Sequence, residues 1–278
     1  MADPTGRPPA ALTGQGLTLG YDGRTVCRDV DVLIPTGELT VIVGPNACGK
    51  STLLRGLCRL LPARTGSVLL DGRQITSYGT KEVARRVGLM AQTAQAPDGI
   101  TVADLVGRGR YPHQGLFATW TAADERAVRE AMRLARVHDL ADRAMDELSG
   151  GQRQRAWVAM VLAQQTPVLM LDEPTTYLDI AHQVELLELL ADLHEQGRTI
   201  VAVLHDLNQA AHYATNVIAM RAGRVVAVGP PAEVITAESV QEIFGLTAQV
   251  IADPFSGSPL VIPTPPPRRT SGDAPSYS

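Results

Sequence analysis

Lysine is nearly missing from this 278-residue chain: of 25 basic residues only Lys50 and Lys81 are lysine, so a lysine inside a motif stands out. Cysteine is scarce too. Cys27, Cys48 and Cys58 are odd in number and never spaced as Cys-x-x-Cys, which argues against a disulfide framework or a zinc ribbon and for a reducing compartment. No apolar run exceeds the eight residues 156–163, far short of the roughly 18–20 that cross a bilayer. The opening MADPTGRPPA lacks the apolar core of a secretory signal. Basic excess is absent as well: 25 basic against 29 acidic residues leave −4, the wrong sign for a partner made of nucleic-acid phosphates. What is present, 45% apolar and 19% charged residues, is a globular balance with length for one or two domains.

Proline crowds both ends, so residues 1–11 and 254–278 are expected as flexible tails. The run Pro265-Pro266-Pro267-Arg268-Arg269 reads as an extended spacer. Between the tails, residues 12–253 form one unit. Leu17, Leu19 and Tyr21 alternate with polar neighbours, as do Val30, Val32 and Ile34, the pattern of half-exposed antiparallel strands. Residues 39–43, 168–171 and 199–204 are short, continuous apolar runs followed by helical sequence, as in strands buried on both faces of a parallel sheet. Residues from about 93 to 160 interrupt that rhythm with helix-forming sequence, where Thr121 or Asp124 can cap a helix through Leu134. The spacing predicts an α/β fold: a mainly parallel sheet, an antiparallel β layer in front, and an inserted helical subdomain.

Three motifs carry chemistry. Gly44-Pro45-Asn46-Ala47-Cys48-Gly49-Lys50-Ser51, with Thr52 behind it, follows an apolar strand and opens a helix. That is the P-loop of a nucleoside triphosphatase. Backbone N–H groups wrap phosphates, Lys50 supplies a point charge, and the Ser51 hydroxyl can ligate Mg²⁺. The run from Val168 ends in Asp172-Glu173-Pro174, two carboxylates at the carboxyl end of a buried strand. Asp172 suits Mg²⁺ and Glu173 suits the role of general base toward water. Third, Leu148-Ser149-Gly150-Gly151-Gln152 precedes a helix. Ser149 and Gln152 make a capping box, and the two glycines leave the helix-end amides open to an anion. Two phosphate-binding helix ends are more than one nucleotide needs from one chain, so the second is expected to serve a nucleotide held by a partner.

With these motifs in this order, residues from about 12 to 250 resemble the ATP-binding subunit of an ABC transporter. The resemblance implies that Tyr21 stacks on adenine, Gln92 contacts Mg²⁺ or its water and joins the site to a membrane subunit, Asp179 crosses a dimer interface, and His205 reaches the γ-phosphate. It implies a head-to-tail pair of identical chains, each ATP lying between residues 44–51 of one and Ser149, Gly150 and Gly151 of the other. Alanine at position 47 departs from the glycine usual in the family. Cys48 reads as a small apolar filler.

The segments Gly109-Arg110-Tyr111-Pro112-His113, Gln152 to Trp157, Tyr177 to Gln183 and His205 to Ala210 are similar to ATPase subunits of iron–siderophore importers. That implies a separate permease, docked near residues 109–113 at the cytoplasmic face of the membrane, and an extracytoplasmic solute-binding protein. Importers of haem, cobalamin or another metal chelate fit the same residues, and a soluble non-transport ABC ATPase or a non-hydrolysing scaffold are further alternatives. Arg108 and Arg110 otherwise belong to a solvated charged face.

Overall fold

The structure is a computed structural model that describes residues 10–92, 96–115 and 119–264. The proline run 265–269 and the outer parts of both expected tails lie outside the described residues. Strands β1 (Ala10–Tyr21), β2 (Arg24–Pro35) and β3 (Leu39–Val43) lead into helix α1 (Lys50–Leu57). There follow β4 (Thr65–Leu70), β5 (Arg73–Gln74), α2 (Thr80–Ala84) and β6 (Val87–Met90). Helices α3 (Val102–Gly107), α4 (Ala122–Leu134) and α5 (Gly150–Ala163) come next. The core then resumes with β7 (Val168–Asp172), α6 (Ile180–Glu195), β8 (Thr199–Val203), α7 (Leu207–Tyr213), β9 (Asn216–Arg221) and β10 (Arg224–Gly229). The chain closes with α8 (Pro231–Val234), α9 (Ala237–Phe244), β11 (Ala248–Ala252) and β12 (Pro259–Pro263).

The central sheet runs β10-β9-β3-β8-β7-β6, parallel except for β10. Every residue of β3, β7 and β8 is buried, which is why these strands read as unbroken apolar runs. A second sheet, β2-β1-β4-β5, is antiparallel. Its inward Leu12, Leu17, Leu19, Val30 and Ile34 share a core with Leu53, Leu54 and Leu57 of α1 and with one face of the central sheet. The opposite face packs on α3, α4, α5 and α6. The helical insertion is therefore continuous with the main core: Val102, Leu105, Val128 and Ala159 belong to the same cluster as Val41 and Leu171. No described helix is long and apolar enough to cross a membrane.

Three boundaries differ from expectation. Residues 10 and 11 are not part of an N-terminal tail, because β1 starts at Ala10 and Ala11 is buried. The helical insertion runs past 160, since α5 continues to Ala163 to bury Val161, Leu162 and Ala163. The C-terminal segment is not a tail from 254: β12 pairs with β11, and Val261 is buried with both backbone groups bonded to Asn208. Proline at both ends of β12 costs little, because β12 has only one neighbouring strand.

Candidate functional site

The parallel register brings the carboxyl ends of three strands level. Ile42 of β3 lies opposite Val203 of β8, and Val203 opposite Asp172 of β7. Each strand then delivers its motif at that edge, the usual ligand-binding rim of an open α/β sheet.

After β3, the loop from Gly44 to Gly49 turns sharply back into α1. Gly44 has no room for a side chain: a Cβ would stand 2.3 Å from the Met220 carbonyl oxygen. Gly49, at φ 109, caps α1 in a backbone shape that L-residues rarely adopt. Ala47 adopts φ 60 without that freedom. Cys48 points inward, its N–H donating to the Pro45 carbonyl and its own carbonyl accepting from Gly223 N–H. Burial pushes the Cys48 thiol up, and takes Cys27 on the other side of the loop up to about 12. Both stay protonated, as packing groups do. Lys50, only 5% exposed as a residue, donates from its ammonium to the carbonyls of Gly44 (2.8 Å) and Pro45 (3.0 Å).

The Ser51 hydroxyl donates to Asp172 Oδ1 at 2.7 Å. Asp172 Oδ2 is buried and has no hydrogen-bond partner among the described residues. Burial raises the Asp172 carboxyl above the usual carboxylate range, against the pull of the Ser51 bond, and the charge of Glu173 adds to the rise. An orphaned carboxylate oxygen beside a hydroxyl is a donor set suited to a hard dication.

Next along the chain, Glu173 is held in left-handed conformation at φ 56. Its Oε2 accepts from the Gln92 amide at 2.7 Å, and its Oε1 lies 2.7 Å from His205 Nε2 just beyond β8. Gln92, Glu173 and His205 thus meet over the loop. Together with Asn46, Ala47, Gly49, Lys50, Ser51 and Thr52 they line a cleft of about 710 Å³.

Other expected residues lie elsewhere. Tyr21 does not line the cleft; it closes the β1–β2 turn opposite Arg24, with its hydroxyl 3.4 Å from Arg55 Nη1. Ser149 caps α5 by accepting from Gln152 N–H at 3.2 Å, while Gln152 Oε1 accepts from Ser149 N–H at 3.0 Å. Gly150 lines an adjoining cavity of about 220 Å³ that shares Gln92 with the cleft, and Asp179 caps α6 by accepting from His182 N–H at 2.9 Å. Ser149, Gly150, Gly151, Gln152 and Asp179 therefore stand apart from the cleft of their own chain.

The cleft also contains residues that no motif announced: Arg24, Thr25, Val26, Ala222 and Gly223. Two hairpins far apart in sequence meet there through Arg28 N–H to Gly223 O at 3.0 Å. Gly223 in a β9–β10 turn was a turn signal, with nothing local to mark it as cleft wall.

A phosphate loop with a carboxylate held above it is an arrangement that suits a nucleoside triphosphate. The family model described as ABC transporter matches residues 27–176, more than half of the chain. The ferric enterobactin transport ATP-binding protein FepC of Escherichia coli (strain K12) is 57% identical over 91% of this chain and 94% of that protein. The petrobactin import ATP-binding protein FpuD of Bacillus anthracis is 47% identical over 91% and 93% respectively. Among solved structures, the dimeric bacterial ABC transporter cassette MJ0796 matches with a TM-score of 0.72 at 26% identity, over 79% of this chain and 98% of that one.

Proposed function

The chain belongs to the ABC transporter family, and from that premise we propose that it is the ATP-hydrolysing subunit of an importer for an iron–siderophore complex. Relatives named for ferric enterobactin and petrobactin support the cargo. The observation that carries the activity is Glu173 clamped between Gln92 and His205 above a phosphate loop.

Each group has a task in phosphoryl transfer. Lys50 exchanges the Gly44 and Pro45 carbonyls for β- and γ-phosphate oxygens. Ser51 and Asp172, with Gln92 nearby, would hold Mg²⁺. When bound, that ion neutralises charge building on the phosphates. Glu173 accepts a proton from the attacking water, and His205 fixes the glutamate while facing the γ-phosphate. Catalysis is mostly positioning plus charge stabilisation. Tyr21, outside the cleft as described, is proposed to meet the adenine when nucleotide enters.

Ser149, Gly150, Gly151 and Asp179 do not line the cleft of their own chain, which supports a head-to-tail pair of identical chains with two shared sites. The matched cassette is itself described as dimeric. A separate permease is expected to dock beside residues 108–113, where Tyr111 is exposed, and would hold the subunit at the cytoplasmic face of the membrane. A solute-binding protein would deliver the chelate from the other side.

Two variants test the site. Lys50→Ala loses ATP binding outright. Glu173→Gln binds ATP, stalls turnover by roughly a hundredfold or more and accumulates as a dimer, since it removes the base and not the phosphate grip. Normal ATP affinity in Lys50→Ala, or a monomeric ATP-bound Glu173→Gln by size exclusion, would contradict the assignment. Uptake of labelled ferric chelate by the subunit with its cognate permease tests the cargo.

A further inference from the structure

Glu173 keeps a left-handed backbone at φ 56, a conformation that an L-residue holds only when its surroundings over-determine it. Its carboxylate is fixed by Gln92 and His205. Its main chain is fixed from a different direction. Gln154 Nε2 donates to the Pro174 carbonyl at 3.0 Å and approaches the Glu173 carbonyl at 3.4 Å. Proline at 174 has no N–H to offer the neighbouring turn, and the remaining local bond, Thr176 N–H to Glu173 O, is long at 3.3 Å.

Gln154 lies one turn into α5, the helix that opens with Gly150 and Gly151 and is capped by Ser149. The same helix end touches the far side of the 173–179 loop. A Cβ added at Gly150 would lie 3.4 Å from Tyr177 Cβ, and one at Gly151 would lie 3.2 Å from Leu178 Cδ2. Tyr177 is itself left-handed at φ 67 and 81% exposed. So the helix end that does not line its own cleft is lashed to the loop that aims the glutamate into it.

We propose that Gln154 is a positioning residue that couples the two nucleotide sites. It transmits the placement of the α5 N-terminus, gripping the partner's nucleotide, to Glu173, acting on the chain's own. The proposal rests on the shared-site reading above. Gln154 does not line the cleft of its own chain; it sets the backbone from which the base projects.

The experiment compares full-length wild type with Gln154→Met, of similar length but with no donor, and Gln154→Glu, of similar shape but accepting only at neutral pH. ATP binding should stay within about twofold of wild type, and each variant should still dimerise with ATP in a Glu173→Gln background. kcat should fall about tenfold or more, as small misplacements of a catalytic group do. The Hill coefficient for ATP should fall from near two toward one, and Gln154→Glu should be the slower because its carboxylate repels both carbonyls. A Gln154→Met chain as fast and as cooperative as wild type overturns the proposal. So does a variant whose ATP binding and dimerisation collapse together with kcat, the mark of a merely structural bond. Wild-type hydrolysis without cooperativity overturns the shared-site reading instead, a separate result.

Discussion

Ala47 shows how much a single backbone angle can be worth. At φ 60 it sits where an L-residue is strained by roughly 1–2 kcal/mol, relief that glycine obtains at the expense of a more flexible unfolded chain. Its methyl is exposed, so little packing offsets the strain. Ala47→Gly should therefore stabilise the protein by up to about 1 kcal/mol, read as a higher denaturant midpoint at unchanged slope. A lower midpoint would mean that the angle is not strained in solution. Glu173 and Tyr177 share the same region of backbone space, but there the angle aims a carboxylate or seats a loop against α5. The two lysines divide similarly. Lys50 was legible as functional from its place in the loop, whereas Lys81 merely donates to the Gln114 carbonyl at 2.8 Å.

Among the elements, the segment around Gly109–His113 was the least legible. Sequence left Arg110 open between a permease-docking segment and a solvated charged face, yet it is buried: Nε meets Asp124 Oδ1 at 2.9 Å, while Nη1 donates to Ala163 O at 2.7 Å and Gln165 Oε1 at 3.0 Å. No periodicity marks a pairing that spans a 3₁₀ turn and a helix cap, so only tertiary packing reveals it. Asp124 serves twice, completing the Thr121 capping box of α4 and receiving Arg110. The Thr121 hydroxyl and then Arg110 hold its carboxyl down to about 2. A depressed folded pKa adds stability above the unfolded value near 3.8, and that stability is lost as pH falls toward about 2. Asp124→Asn should flatten that acid limb, and Arg110→Met should cost roughly 3–5 kcal/mol by stranding a buried carboxylate. Denaturant midpoints between pH 2 and 7 check both; an acid limb of unchanged steepness in Asp124→Asn would refute the pairing. The C-terminal hairpin went unread for a different reason, because turn-rich composition masks a strand anchored by one asparagine. Truncation after residue 255 removes β12 and the Asn208–Val261 bonds, and should lower the melting temperature by several degrees. Truncation after residue 264 should leave it near wild type; equal losses from both cuts would remove the hairpin's claim.

At the scale of the whole molecule, the parallel sheet gathered what the sequence had scattered. Motifs at 44–51, 172–173 and 205 were legible because strand, turn and helix punctuation surrounded each, and the level strand ends brought them into one cleft. The cleft walls from 24–26 and 222–223 were not, since they depend on two hairpins meeting across the fold. Ser149 is where the proposed pair of chains matters most: it caps a helix well and does not line the cleft of its own chain. Ser149→Ala removes the cap, costing about 1 kcal/mol, and one hydroxyl of the proposed shared site, but adds no bulk and should still allow ATP-driven dimerisation. Ser149→Arg adds bulk on the face that the proposed pair of chains would share. It should leave monomer ATP affinity unchanged, because Lys50 and its loop are untouched. It should nonetheless cut hydrolysis by about a hundredfold, as losing transition-state donors does. Placed in a Glu173→Gln background, it should also remain monomeric with ATP in size exclusion. This pattern separates it from Lys50→Ala, which loses binding itself, and from Ser149→Ala, which still dimerises. A Ser149→Arg chain that hydrolyses ATP at the wild-type rate would mean that each cleft works alone, and the pairing of two chains around the nucleotides would have to be abandoned.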